Sequence, residues 1–563
     1  MSLRCANRPI STLPSRFCSK NIRAQLSDFI ASLMKMPTLD EFQAPEQPYE
    51  KKGFGKIVRT CELASAHGLR YAWVDTCCID KSSSAELSEA INSMFKWYMN
   101  AAVCIVFLSD LPFGSSFEDH FPRCRWLTRG WTLQEIVAPR VAEFYDAKWE
   151  LRGRKPELNS LLADVTRIDY DVSCNNQVMF EVPVARRMSW ASMRQTTRVE
   201  DTAYCLMGIF GVSMPMIYGE GHKAFMRLQE EIAKESSDLS LFAWTNPSLN
   251  LSPESWIQQS YRGIFARSPR EFSNAHNLKR RVKDAIIDTE FAITNKGLRI
   301  ETALISIPDA TEDLVWDLGV SERDDWPKDR ADGWLGVYLT KTANGYVRSK
   351  SHTLFKAEPQ MRRYRGDNTL VYIRKDLRVS ESETAENRFR GAVCADFSRA
   401  PCHVVAAAPQ QLWDSNRNLF LGQGQGINAY LLLRFSHIPN HTSAVHFVVA
   451  LSTMDEPICH IFSDQHPLFD QACRFMDTAR EITYYVSADY FRMQFLPGRR
   501  QTQSSPALCS VRQPHSNSVL HFQAELKPHV LDNQFCYNLE LLFAHTVLDS
   551  PPNIRGISSL NLC

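Results

Sequence analysis

The chain runs to 563 residues, with 64 lysines and arginines against 63 acids, so its net charge is +1. At 44% hydrophobic and 23% charged residues it has the make-up of an ordinary globular protein, too long for a single core. The balance excludes a bulk field that would draw it to nucleic acid or an anionic membrane, and no apolar run reaches the length of a membrane-spanning helix.

The first 25 residues hold Arg4, Arg8, Arg16, Lys20 and Arg23 and no acid. Mitochondrial presequences and disordered arms share that composition. Residues 1–48 are read as an N-terminal arm, partly disordered. From Gly53 the stretch GFGKIVRTCELASAHGL has helical spacing, with Ile57, Cys61, Leu63 and Ala64 on one side and Gly68 as C-cap. It leads into the apolar strand Tyr71-Ala72-Trp73-Val74. Ser83-Ser84-Ala85-Glu86 reads as a capping box opening a helix whose one face is Leu87, Ala90, Ile91, Met94, Phe95 and Tyr98. A buried strand follows over 102–108. Thr132-Leu133-Gln134-Glu135 is a second capping box, and 141–145 another strand. Between 189 and 235 the reading is helical: Thr197-Arg198-Val199-Glu200 caps one helix, and Gly221 precedes another carrying Ala224, Phe225, Leu228 and Ile232. Helix and strand alternating at these lengths predict an α/β domain over 49–244, a parallel sheet with flanking helices and a helical extension.

After Trp244 the period changes to two. Leu298 and Ile300 alternate with Arg299 and Glu301 after the turn Asn295-Lys296-Gly297, and Asn344-Gly345 is a hairpin signal. The runs AYLLLRF, AVHFVVAL, ITYYVSADYF and NLELLFAHTV are strand-like. Residues 245–563 are read as a mainly antiparallel β domain with a polar loop near 498–518. Lys279-Arg280-Arg281 reads as a solvated turn, and the glycine-rich stretch Gly422 to Gly426 as a flexible one. The 16 cysteines are scattered, with no CxxC pair and no zinc spacing, and adjacent Cys77 and Cys78 suit neither a disulfide nor a shared metal. A reducing, cytoplasmic setting and no metal centre are expected.

Three blocks carry a resemblance: YAWVDTCCIDKSSSAELSEAINSMFKWY, then WLTRGWTLQEIVAP, then RMSWASMRQTTRVEDTAYCLMGIFGVSMPMIYGEGHKAFMRLQEEI. They closely resemble the fungal heterokaryon incompatibility (HET) domain, in the family's order and spacing, over residues 50–244. GIFARSPREF followed by ITNKGLRI is similar to the region that often follows that domain. The resemblance implies vegetative incompatibility: recognition of a non-self protein partner, assembly of copies on activation, and programmed death of the fused cell. Two departures stand out. The family opens its domain with a strand similar to YAILSHTW, whereas FIASLMKMPTLDEFQAPEQPYE stands upstream of Lys51-Lys52-Gly53 here. No GxxxxGK[ST] is present, so the nucleotide-switch ATPase of some members is absent.

The HET domain is in turn remotely similar to Toll/interleukin-receptor domains, some of which cleave NAD between nicotinamide and ribose. That bond breaks through an oxocarbenium-like ribose, which calls for a carboxylate, an aromatic face and groups that hold the pyrophosphate. Trp131 to Ile136 sits where that superfamily carries W-C-x-x-E-L. The resemblance therefore implies Glu135 as catalytic residue, Trp131 and Trp126 as aromatic walls and Arg129 as phosphate contact, with NAD as substrate and no bound cofactor. Asp75, ending a strand, is the second catalytic candidate.

The two acids also have plainer readings. Glu135 can be the third-position acid of the Thr132 capping box, contributing about 1 kcal/mol, and Asp75 can accept backbone N–H groups in its turn. Arg194, Arg198, Glu200 and Asp201 read as salt bridges within the helical layer. Gly219, Gly221 and His222 mark either a phosphate-binding helix start or an ordinary turn. Three readings stay open: a cell-death enzyme acting through assembly, a non-enzymatic interaction module, and a degenerate member of the family.

Overall fold

The computed structural model describes residues 2–6, 53–80, 83–246, 260–281, 290–307, 313–322, 333–357, 361, 364–400, 402–422, 426–435, 444–453, 457–481, 506–512 and 518–547. The strand expected over 482–491 and most of the N-terminal arm lie outside them. The chain divides into two compact units. One comprises 1–258, 263–339 and 348–375; the other comprises 259–262, 340–347 and 376–563.

The first unit opens with a five-stranded sheet in the order β2 (Tyr71–Val74), β1 (Ser2–Ala6), β3 (Val103–Phe107), β4 (Ala142–Tyr145), β5 (Leu151–Arg154). The sheet is mixed rather than parallel. Only β3 and β4 pair parallel. Strand β1 lies between β2 and β3 and runs antiparallel to both, with Leu3 opposite Val74 and Ile105. β2, β3 and β4 therefore share one direction, as helical crossovers require, while β1 fills the slot between the first two. β5 returns antiparallel to β4 through the Asp146 turn.

Helix α1 (Phe54–Ala66) ends as its sequence dictates. Gly68 has φ +68°, its N–H reaches Ser65 O, and the Leu69 N–H reaches Ala64 O, which satisfies two of the last carbonyls. Its apolar side, Ile57, Cys61 and Ala64, packs with Val74, Val103, Ile105 and Tyr145. Strand alternation sends their neighbours to the opposite face. There Trp73 meets Trp97 and Tyr98 of helix α2 (Ser84–Met99), at ring-centroid distances of 5.3 and 6.0 Å. Phe144 meets Phe117, Phe121 and Trp126 on that face as well. The Ser83 hydroxyl caps α2 by accepting the Glu86 N–H; the Glu86 carboxylate accepts from the N–H of Asp80.

Helix α3 (Thr132–Val137) departs from the expected capping box. Trp131 occupies the N-cap with no side-chain cap, and Thr132 is the first helical residue. The Thr132 hydroxyl lies instead against the carbonyls of Trp126 and Arg129. After helix α4 (Lys155–Thr166) come short helical turns and the amphipathic α5 (Lys223–Glu235), which buries Ala224, Phe225, Leu228 and Ile232 as expected. The helix expected after Thr197 is the single turn Asp201–Tyr204.

A second, nine-stranded sheet runs from Leu278–Arg280 to Thr369–Ile373. The Asn295-Lys296-Gly297 and Asn344-Gly345 turns join hairpins as expected, with φ +129° at Gly297 and +105° at Gly345. The basic run is not a solvated turn. Arg280 pairs with Asp238, and buried Arg281 grips Asp317 through two 2.7 Å contacts. A guanidinium fork matches a carboxylate, so Arg281 is held inside by an acid distant in sequence, while Lys279 and Arg280 stay partly exposed.

The second unit is a sandwich of a six-stranded and a four-stranded sheet sharing one core that includes Leu431, Phe447, Leu520, Phe522 and Leu539. Pairing is antiparallel except between Val393–Asp396 and Gln534–Val547. The loop expected near 498–518 contains the strand Ala507–Arg512, where Cys509 and Val511 are buried and Leu508, Ser510 and Arg512 exposed. That six-residue alternation is short and flanked by polar residues. Helices Val379–Glu386 and Phe469–Glu481 add to the β-rich half. No described helix is long and apolar enough to cross a membrane.

Candidate functional site

Glu135 is 5% exposed, on the sheet face opposite α1. Its carboxylate accepts the Trp126 indole N–H at 2.7 Å and the Tyr98 hydroxyl at 3.3 Å. Trp126 packs on Phe144 and Tyr98 on Trp73, so one carboxylate links α2, α3, the 124–131 loop and two strands. A buried carboxylate needs such donors, because an unmet acceptor costs about 1–3 kcal/mol, more when charged.

Arg194 completes the arrangement from the helical extension. Its Nη1 donates to the Arg129 carbonyl and the Thr132 hydroxyl, each at 2.9 Å. Burial pushes its pKa down to about 10, while Cys205 and Glu135 act in the opposite direction. It therefore stays cationic at neutral pH near Glu135.

Of the sequence candidates, the structure joins Glu135 and Trp126 directly, with Trp126 buried as a donor rather than open as a wall. Half-buried Trp131 hydrogen-bonds Asp201 instead. The Arg129 side chain is at the surface. Asp75, half-buried at the tip of β2, accepts the Thr76 hydroxyl at 3.1 Å and opens the short helix Asp75–Cys78.

The sequence reading missed the group around Trp131. Burial raises the pKa of Asp201 although Trp131 and Tyr218 both hydrogen-bond it. Arg198 lies 4.3 Å over the Tyr218 ring. Glu200 accepts the N–H groups of Gly219 and Gly221 at 2.8 and 3.0 Å, and backbone hydrogen bonds hold its pKa below the usual value. These glycines have φ +100° and +61°, which aims their amides at one acceptor. The phosphate-type turn considered from sequence thus already holds an anion, the protein's own Glu200. The dense charges of 194–201 were legible; that two of the acids serve a tryptophan and a turn was not.

A third polar cluster lies on the α1 side. Burial pushes buried Glu143 up, but hydrogen bonds from Tyr145 at 2.7 Å, Arg154 at 2.9 Å and His67 at 3.0 Å outweigh it and lower its pKa. No group of three or more His, Cys, Asp or Glu able to hold a metal occurs among the described residues.

Comparison with known proteins adds the following. Residues 54–115 match the heterokaryon incompatibility protein (HET) family, and residues 223–314 match a domain of unknown function (DUF8212). The chain is 43% identical over 205 residues to the vegetative incompatibility protein HET-E-1 of Podospora anserina, across 35% of this chain and 15% of that protein. The match thus spans less than a sixth of the relative's length. No solved structure matches.

Proposed function

We propose that this chain is a fungal vegetative-incompatibility protein that recognises a non-self partner and signals death of the fused cell, a reading supported by the match of residues 54–115 to the heterokaryon incompatibility family model. The observation that carries this reading is the 43% identity over 205 residues with a protein of that name. On this reading the HET domain occupies residues 49–244, has a Toll/interleukin-receptor-like arrangement, and acts in the cytoplasm through assembly of copies, while residues 245–563 serve recognition.

Within that domain Glu135 is the reacting carboxylate on NAD. The nicotinamide–ribose bond breaks with its electron pair leaving on neutral nicotinamide. The carboxylate stabilises the ribose cation until water adds and gives up a proton. Trp131 offers an aromatic face, Arg129 a surface cation for the pyrophosphate, and Asp75 a second acid at a strand tip. Support comes from Glu135 lying among aromatic groups with Arg194 near its charge.

A second reading has its own observation: Glu135 is buried and already accepts from Trp126 and Tyr98, which suits a non-enzymatic interaction module. Purified full-length chain, alone and clustered into oligomers, is incubated with NAD and free nicotinamide measured. The enzymatic reading expects release by the clustered protein and a fall of about 100-fold or more in Glu135→Gln. Equal release by wild type and Glu135→Gln, or none in any assembly state, refutes it.

A further inference from the structure

We propose that the segment from Trp190 to Thr196 is a latch that keeps the loop over Glu135 closed, and that its release is the regulated step of the site. This rests on reading Glu135 as the reacting group, and it names what controls access to it.

The clasp is made by backbone. The Gln195 N–H donates to Thr128 O at 2.6 Å, and the Gly130 N–H donates to Gln195 O at 2.8 Å. Arg129 and Gln195 thereby form a parallel bridge between distant segments. The Arg194 side chain then ties the same loop to the start of α3 through Arg129 O and the Thr132 hydroxyl. Its own Nε donates back to Trp190 O at 3.3 Å, which fixes the guanidinium at the base of the segment.

The closure is tight where it matters. A Cβ at Gly130 would lie 2.5 Å from Thr196 Cγ2 and 3.1 Å from Cys205 Sγ, so only glycine lets the two segments meet this closely. Beneath the clasp, the loop carries Trp126 inward onto Glu135. The tip of the latch is at the surface, with Met193 75% exposed and Gln195 exposed opposite exposed Arg129, while its base, Trp190 to Ser192, is buried. A surface clasp of few hydrogen bonds belongs to the part of a protein that opens at low free energy. The molecule thus pairs a buried carboxylate with a close-fitting cover fastened at an exposed tip, the arrangement expected of a site held shut until an outside contact acts on 193–195.

Hydrogen–deuterium exchange of the full chain tests this in two variants that act differently. Gly130→Val wedges the segments apart sterically, and Arg194→Met removes three charge-assisted bonds, two of them to the loop and the start of α3. The expected result is exchange about tenfold faster or more across residues 125–137 in both variants, with 54–66 and 142–154 unchanged. Unchanged exchange at 125–137, or faster exchange throughout the α/β region, overturns the latch. NAD turnover in the same variants separates the two ideas. Measured on clustered Gly130→Val, which keeps Arg194, local opening with nicotinamide release supports both, whereas local opening without it upholds the latch and counts against Glu135 as the reacting group.

Discussion

Replacing Lys155 with methionine should change how stability depends on pH, and the size of the effect follows from the site. Lys155 is buried at the start of α4, with Nζ donating to Pro139 O at 2.8 Å. Burial lowers its pKa from 10.5 to about 8. Between those values the unfolded chain keeps the proton and the folded chain gives it up, so stability rises with pH across that window. Below pH 8 the folded protein bears the full cost of a charged ammonium in its interior, about 3 kcal/mol at about 1.4 kcal/mol per pH unit. Methionine keeps the length and apolar stem but does not titrate. It also removes the donor to Pro139 O, a loss nearly independent of pH. Urea unfolding followed by pulse proteolysis, run on wild type and Lys155→Met, isolates the titration because every other group cancels. Wild type should gain about 2.5 kcal/mol on the variant between pH 7 and 10. A difference constant to within about 0.5 kcal/mol would show that the ammonium is not desolvated as argued.

Other outcomes follow from single contacts. Arg281→Met strands the Asp317 carboxylate, whose other donor is the Gly319 N–H, and should cost about 3–5 kcal/mol by chemical denaturation, with much of it recovered when Asp317→Leu is added. Gly208→Ala places a Cβ 2.1 Å from Phe95 Cβ, forcing the Met207–Phe210 turn off α2; a loss of about 3 kcal/mol, or a melting transition lower by about 6–12 °C, is expected. Glu200→Ala frees the Gly219 and Gly221 amides, so hydrogen exchange over 215–222 should accelerate. Because the Glu200 pKa is lowered when folded, its contribution is present above the usual carboxylate value of 4.5 and is lost as pH falls through the folded value. Acidification should therefore loosen this turn in wild type and leave the variant unchanged.

The elements legible in advance are those whose signals are local. YAWV between a glycine cap and a polar turn forms β2 as expected, and of the predicted helix face Ala90, Ile91, Met94, Phe95 and Tyr98 are buried and Leu87 partly so. What was not legible depends on partners far along the chain. Ser2–Ala6 is five residues with no distinguishing pattern, and its place between β2 and β3 is decided by backbone pairing. Arg281 looks like one of three solvated cations until Asp317 is brought to it. The Thr132 box failed by a shift of one residue: with Trp131 at the N-cap, Thr132 turns its hydroxyl to carbonyls, and Glu135 is left to the Trp126 and Tyr98 donors. Glu135 was picked out by resemblance; its burial under a loop came from side chains that no local pattern reports.

Regulated expression in fungal hyphae, with wild type and Glu135→Gln at matched protein levels and death scored by a vital dye, reaches the account's central claim most directly. Wild type should kill and the variant should not. Equal killing by both, or survival with both, would contradict it.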